Sequence, residues 1–220
     1  MSVASSSPSI CIVTRGRGTS GSDERVKLVG RLGAASRAGA DTIQIRERHF
    51  DDRSLLQFAR EVIAAVRPLG TRVIINERID IALASGADGV HLKSDGPGVV
   101  DVRRIVPDAF LIGRSVHTRE EARAVANEGG CDYLFFGTVF RSSSKPDDHR
   151  LAGIAGLRDT CVTVSLPVLA IGGLTVARVP EVRAAGAKGI AAISLFAEAP
   201  DIAGVTASIR DALTLPSGHD

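Results

Sequence analysis

Short apolar runs alternate with longer stretches of helical period along the whole chain. Eight runs read as strands: Ile10–Val13, Thr42–Arg46, Arg72–Asn76, Gly89–Leu92, Phe110–Ile112, Tyr133–Phe136, Val168–Ile171 and Gly189–Ile193. Most are unbroken rather than alternating, as strands buried on both faces should be. Between them, Glu24–Arg37 sets Val26, Leu28, Val29, Leu32 and Ala35 on one helical stripe. Ser54–Val66 does the same with Leu55, Phe58, Val62 and Val66, and Pro68 and Gly70 stop it. Shorter helical segments span Ile79–Ala84, Val99–Val106, Thr118–Glu128, Ile154–Val164, Val176–Ala185 and Pro200–Leu215. Thr118 and Glu121 have the spacing of a capping box, and Pro180 belongs near a helix end or a kink. Arg15–Ser22 and Thr138–Gly153 read as loops.

A short motif recurs before every second strand. Ala38-Gly39-Ala40-Asp41, Ser85-Gly86-Ala87-Asp88, Gly129-Gly130-Cys131-Asp132 and Ala185-Gly186-Ala187-Lys188 each join a helix end to a strand through a glycine suited to the left-handed cap. Four recurrences argue for a closed, symmetric architecture, because an open doubly wound sheet has no reason to repeat in this way. The expected fold is α/β, a single (β/α)8 barrel over residues 10–215, with tails at 1–9 and 216–220.

The 220 residues suffice for one such domain with a sizeable core. With no Trp and one Tyr, that core must rest on Val, Ile, Leu and Ala. A net charge of +2, from 27 basic and 25 acidic residues, gives no nucleic-acid footprint. No apolar run approaches the roughly 20 residues of a membrane span. Met1 to Pro8 is small and polar, unlike a signal peptide, so a cytoplasmic location is expected. Cys11, Cys131 and Cys161 fit neither a disulfide framework nor a zinc site and read as buried thiols.

In a barrel of this kind the loops after the strands build the site. Those positions hold Gln44, Arg46 and Arg48, then Asn76 and Glu77, then Lys93, Ser94 and Asp95. Further along come Arg114, Ser115 and His117, then the loop to Lys145, then Gly172 and Gly173, and last Ser194. Gly172-Gly173 lets backbone amides approach a ligand closely, and loops after the seventh and eighth strands form the recurrent phosphate site of such barrels. Ser194 would add a hydroxyl, and Arg46, Arg48 and Lys145 positive charge. Taken singly, a Gly-Gly is a turn and each cation a solvated side chain. Glu77 and Asp95 are the only acids placed for Mg²⁺, and both also suit a cap or the surface. His91, inside the fourth strand, reads as a wall or core histidine, and His49 and His149 as surface residues.

Six motifs now carry a resemblance. They are Gln44-Ile45-Arg46-Glu47-Arg48, Ile75-Asn76-Glu77-Arg78, Gly86 to Leu92, Ile112 to His117, Asp132 to Gly137, and Ala170-Ile171-Gly172-Gly173. From about Ile10 to Phe196 the chain resembles the thiamine phosphate synthase/thiazole tautomerase (TenI-like) superfamily. The synthase branch joins a pyrimidine pyrophosphate to a thiazole phosphate with Mg²⁺. Its Gln-x-Arg-Glu-Lys pattern has Arg48 in the Lys place here, and its Asn-Asp metal pair is Asn76-Glu77. After His-Leu it carries Gly-Gln-x-Asp, whose Asp is the second metal ligand. Here Lys93-Ser94-Asp95 follows, and the acid comes one residue early. Ser142-Ser143-Ser144-Lys145 echoes the synthase Thr-x-Thr-Lys loop.

The stretches Ile112 to His117 and Tyr133 to Gly137 look closer to the tautomerase branch, which aromatises a thiazole carboxylate phosphate without a metal. The resemblance therefore implies a thiazole tautomerase, an isomerase with no cofactor, in which His117 moves the proton. Gln44, Arg46, Arg48, Asn76, Ser115, Lys145, Gly172, Gly173 and Ser194 would bind the substrate. The alternatives are a synthase, with Mg²⁺ at Glu77 and Asp95, and a non-catalytic barrel that binds thiamine-pathway phosphates. The expected partner is a small-molecule thiazole phosphate, with homo-oligomerisation left open.

Overall fold

The computed structural model describes residues 9–15, 22–142 and 151–214. Its eight strands form a closed parallel barrel in sequence order. They are β1 (Ser9–Val13), β2 (Thr42–Ile45), β3 (Arg72–Asn76), β4 (Gly89–Leu92), β5 (Leu111–Val116), β6 (Tyr133–Gly137), β7 (Val168–Ile171) and β8 (Gly189–Ala192). Around them lie α1 (Ser22–Arg37), α2 (Asp52–Val66), α3 (Ile79–Ser85), α4 (Val99–Arg103), α5 (Arg119–Glu128), α6 (Gly153–Thr163), α7 (Val179–Ala184), α8 (Ser194–Ala197) and α9 (Ile202–Thr214). The chain is thus the expected (β/α)8 barrel. The expected tails at 1–9 and 216–220 lie outside the described residues, save for Ser9 in β1.

The strands are apolar on both faces because both faces are covered. Ile10 and Ile12 of β1 join the large core between strands and helices, whereas Cys11 and Val13 join Phe135, Leu169 and Ala191 inside the barrel. The Cys11 and Cys131 thiols are buried, and burial pushes Cys131 up to about 12. Cys161 is only half-buried.

The recurring motif has a mechanical role. Gly39, Gly86, Gly130 and Gly186 all have positive φ, which glycine adopts without strain. The aspartates that follow each clamp the strand before. Asp41 accepts a hydrogen bond from Ile10 N, Asp88 from Val73 N and Asp132 from Ile112 N, all at 2.7 Å. Each also pairs with an arginine, respectively Arg210, Arg67 and Arg103. At the fourth repeat Lys188 brings no carboxylate and keeps the backbone bond that all four repeats share, here from Lys188 N to Val168 O at 2.8 Å.

Three features differ from expectation. β5 runs on to Val116, because Arg114 and Ser115 interrupt the apolar run but keep parallel register with Leu134 and Phe135 of β6. The segment from Val176 is a 3₁₀ turn followed by α7, with Pro180 in the first turn of the helix. Val26 leaves its stripe and stands 68% exposed, while Leu32 and Ala35 are buried.

Candidate active site

The C-terminal ends of the strands surround one open cleft of about 370 Å³. Gln44, Arg46, Arg48, Asn76, Ser115, His117, Gly172, Gly173 and Ser194 all line it, as do His91, Lys93 and Asp95. Lys145 and His149 lie outside the described residues. His49 is exposed, as expected.

One side of the cleft, at β2 to β4, is a chain of oriented hydrogen bonds. Gln44 Nε2 donates to Asn76 Oδ1 at 2.8 Å, and Asn76 Nδ2 donates to Glu77 Oε2 at 3.0 Å. Lys93 Nζ meets the other oxygen, Glu77 Oε1, at 2.6 Å. Glu77 is held with φ of 61°, the only non-glycine described at positive φ, and its N–H bonds His91 O at 2.9 Å. Non-glycine residues in this region are uncommon and collect at functional sites. Gln44 is 2% exposed, and its Oε1 has no hydrogen-bond donor among the described residues. Arg46 stands beside it, half-buried, its pKa lowered first by desolvation and then by the charge of Arg48. Crowded cations of this kind are relieved by an anion.

The floor beneath is aromatic and neutral. His91 is buried, with Nε2 at 2.9 Å from Ser115 Oγ and Nδ1 at 3.2 Å from Tyr133 Oη. Its ring stacks at 4.1 Å on Phe135. Burial, reinforced by the charge of Arg114, pushes the imidazole down to about 3, so it is neutral at neutral pH. It is a wall histidine, as its place inside a strand implied, and it orients the Ser115 hydroxyl.

Across the barrel, Gly172 and Gly173 have φ of 102° and 62°. A Cβ on Gly172 would lie 2.4 Å from Thr138 Cγ2, and one on Gly173 would lie 2.3 Å from Arg141 O. The loop after β6 runs against that after β7, with Phe140 N bonding Gly172 O at 3.1 Å. Arg178 ties both, donating to Gly173 O at 2.6 Å and lying 4.4 Å from the Phe140 ring centre. Ser194 opens the next segment beside them.

The stretch Gly113 to His117 has a different content from the one expected. Gly113 is glycine because a Cβ there would lie 2.1 Å from Tyr133 Cζ. Arg114 points away to the loop after β4, donating to Pro97 O and Ser94 O at 2.5 and 2.8 Å. His117 is exposed at the cleft mouth, with Nδ1 2.5 Å from Gly137 O, and its backbone N–H donates to Glu121 Oε2 at 2.7 Å. Thr118 Oγ1 completes that cap by accepting from Glu121 N at 3.1 Å. Residues that looked like the signature of a branch are thus accounted for by packing, loop anchoring and capping. Lys93 went unassigned in the sequence because its partner, Glu77, comes from the neighbouring strand.

Comparison with known proteins bears directly on the branch. The family model for thiamine monophosphate synthase matches residues 12–196. The thiamine-phosphate synthase of Methanoculleus marisnigri is 41% identical over 198 residues, covering 90% of each chain. That of Methanoregula boonei is 43% identical over 180 residues, 82% of this chain and 83% of its own. The solved thiamine phosphate pyrophosphorylase from Pyrococcus furiosus superposes with a TM-score of 0.81 at 30% identity, covering 93% of this chain and 95% of that one. These relatives overturn the expectation of a thiazole tautomerase, and with it that of an isomerase. The chain belongs to the thiamine monophosphate synthase family.

Proposed function

We propose that this protein is a thiamine-phosphate synthase, a transferase that joins hydroxymethylpyrimidine pyrophosphate to a thiazole phosphate. The observation that carries this reading is a cleft with cations lining one end and glycine amides the other. Strands β2 to β4 bring Arg46, Arg48 and Lys93 to one end, and β7 and β8 bring Gly172, Gly173 and Ser194 to the other. Two substrates that each carry phosphate need such a pair of ends, with their reacting carbon and nitrogen between them. The relatives' shared name supports the same reading.

In the reaction the bond from the pyrimidine methylene to the pyrophosphate oxygen breaks, and its electron pair leaves with the oxygen. The thiazole nitrogen supplies the pair for the new carbon–nitrogen bond. Arg46 and Arg48 stabilise the leaving charge, and Gln44 and Asn76 orient the pyrimidine end. Gly172, Gly173 and Ser194 hold the thiazole phosphate in the place this fold reserves for one. Ser115, aimed by His91, lies between. No proton moves in this bond exchange, so His117 serves as a wall of the cleft mouth.

Family membership also brings an expectation of Mg²⁺, at the positions of Glu77 and Asp95. The donor set as arranged does not fit it. Magnesium asks for near-octahedral oxygens at about 2.0–2.1 Å. Both Glu77 oxygens already accept hydrogen bonds, from Lys93 and Asn76, and Asp95 is exposed. Among the described residues no three His, Cys, Asp or Glu side chains gather where an ion would sit.

Among the described residues no helix is long and apolar enough to cross a membrane. A thiamine-phosphate synthase working on small soluble phosphates suits a cytoplasmic location. Incubation of the full chain with both substrates tests the reading. Thiamine phosphate and pyrophosphate should appear in equal amounts. Failure to form them under any ionic condition would remove it.

A further inference from the structure

We infer that Lys93 is the resident cation of the pyrophosphate end, so that this protein holds pyrophosphate without a divalent metal. The inference rests on the synthase reading and concerns how that site meets its leaving group.

Lys93 follows β4 directly and lines the cleft, while Glu77 stands behind it at the end of β3. The carboxylate is aimed from three sides. Its backbone is fixed at φ of 61° and bonded to His91 O, one oxygen accepts from Asn76, and the other meets Lys93 Nζ at 2.6 Å. An acid locked in this way orients the ammonium. The side chain of Lys93 remains 44% exposed, so its head still reaches the cleft. An ammonium has three N–H donors, and Glu77 takes one, leaving donors for the oxygens of a ligand. The loop that carries Lys93 is held in turn by Arg114, through Ser94 O, Gly96 O and Pro97 O.

Charge points the same way. Lys93, Arg46 and Arg48 line the same cleft, with Asp95 the one acid among its described lining residues. A divalent ion entering beside Glu77 would have to displace the ammonium or share a carboxylate with it, against the repulsion of like charges at close range. A pyrophosphate meets no such opposition. As its bond to the pyrimidine methylene breaks, the ammonium donates to the oxygen that takes the electron pair. The step needs no oxidant and no net proton transfer.

Calorimetric titration of the full chain with inorganic pyrophosphate, in EDTA and in Mg²⁺, decides the matter. The wild type should bind in EDTA and gain no more than about threefold from Mg²⁺, because Lys93 and Asn76 already take both oxygens of Glu77. Lys93→Gln should bind about 10- to 100-fold more weakly in EDTA, the loss expected of one charged hydrogen bond. It should then respond to Mg²⁺ more than the wild type does, since Glu77 is released. Lys93→Arg should keep most of the metal-free binding, which separates loss of charge from misfolding. Pyrophosphate binding that appears only with Mg²⁺, or an unchanged affinity of Lys93→Gln in EDTA, would overturn the inference. If Lys93-dependent binding in EDTA occurs while no condition yields thiamine phosphate, the anion site stands and the synthase reading falls.

Discussion

The two ends of the barrel solve different problems with similar residues. At the N-terminal rim, Asp41, Asp88 and Asp132 each take one backbone amide and one arginine, and three of the four repeats are nearly superposable in role. At the C-terminal rim, Glu77 takes an amide side chain and a lysine, on a backbone held at positive φ, and nothing among the described residues around the ring repeats it. The first arrangement closes strands. The second leaves cations facing an open cleft. An ion pair whose partners are both consumed by the fold is structural. A pair whose cation keeps donors turned to the cleft is built for a ligand.

This difference makes substitutions at the two rims separable, and Arg46 gives the largest expected effect. Its guanidinium is half-buried, with Arg48 and Arg15 as like charges and Glu47 and Glu77 as opposite ones around it. Arg46→Met should lower kcat/KM for thiamine phosphate formation by about 100-fold or more, as expected for loss of one preorganised donor to developing charge. Melting should shift by no more than about 2 °C. A large loss of stability with intact turnover would erase the distinction between the rims.

Asp132→Ala is the converse and the next in size. It strips a carboxylate from Arg103 and leaves the amide of fully buried Ile112 without its partner. An unsatisfied buried donor costs about 1–3 kcal/mol, or a fall of about 3–10 °C in Tm for a chain of this size. Turnover below the new Tm should stay within about twofold, since distant sites act independently. Thermal melts beside initial rates check both halves.

The same contrast explains what could be read from the sequence. The N-terminal rim was legible because each repeat is local: a helix end, a glycine at positive φ and, in three of the four, an aspartate stand in four consecutive residues. The barrel followed from it, and the barrel placed nine of the ten proposed site residues on one cleft, with Lys145 outside the described residues. The C-terminal rim was less legible because its pairs form between strands. Glu77 and Lys93 are neighbours only once β3 and β4 are in register, with Asn76 beside His91. The choice of branch failed for a related reason. Gly113, Arg114 and His117 are fixed by Tyr133, the loop after β4 and the α5 cap, and such constraints do not depend on which reaction the cleft carries out. β5 was read short because Arg114 and Ser115 look like a loop until β6 lies beside them.

His91 sits between the rims, and its pH behaviour gives the smallest effect and the finest test. The ring is sealed by Phe135, Tyr133 and Ser115, and burial holds its folded-state pKa at about 3 against an ordinary 6.5. The folded value is the lower one. Between about pH 6.5 and 3 the unfolded chain therefore binds a proton that the folded chain refuses, and stability falls as pH is lowered through this window. The slope from this one group approaches about 1.4 kcal/mol per pH unit below pH ~6. His91→Gln keeps an amide able to meet Ser115 but removes the titration. Denaturant melts of both proteins from pH 8 to 5 should show the wild type losing stability faster as pH falls, with the difference flat above pH ~7. Parallel curves would mean that water reaches the ring. The floor of the cleft would then be part of the wet site above it, and the neutral boundary between a structural rim and a binding rim would have to be drawn lower, nearer Cys11 and Leu169.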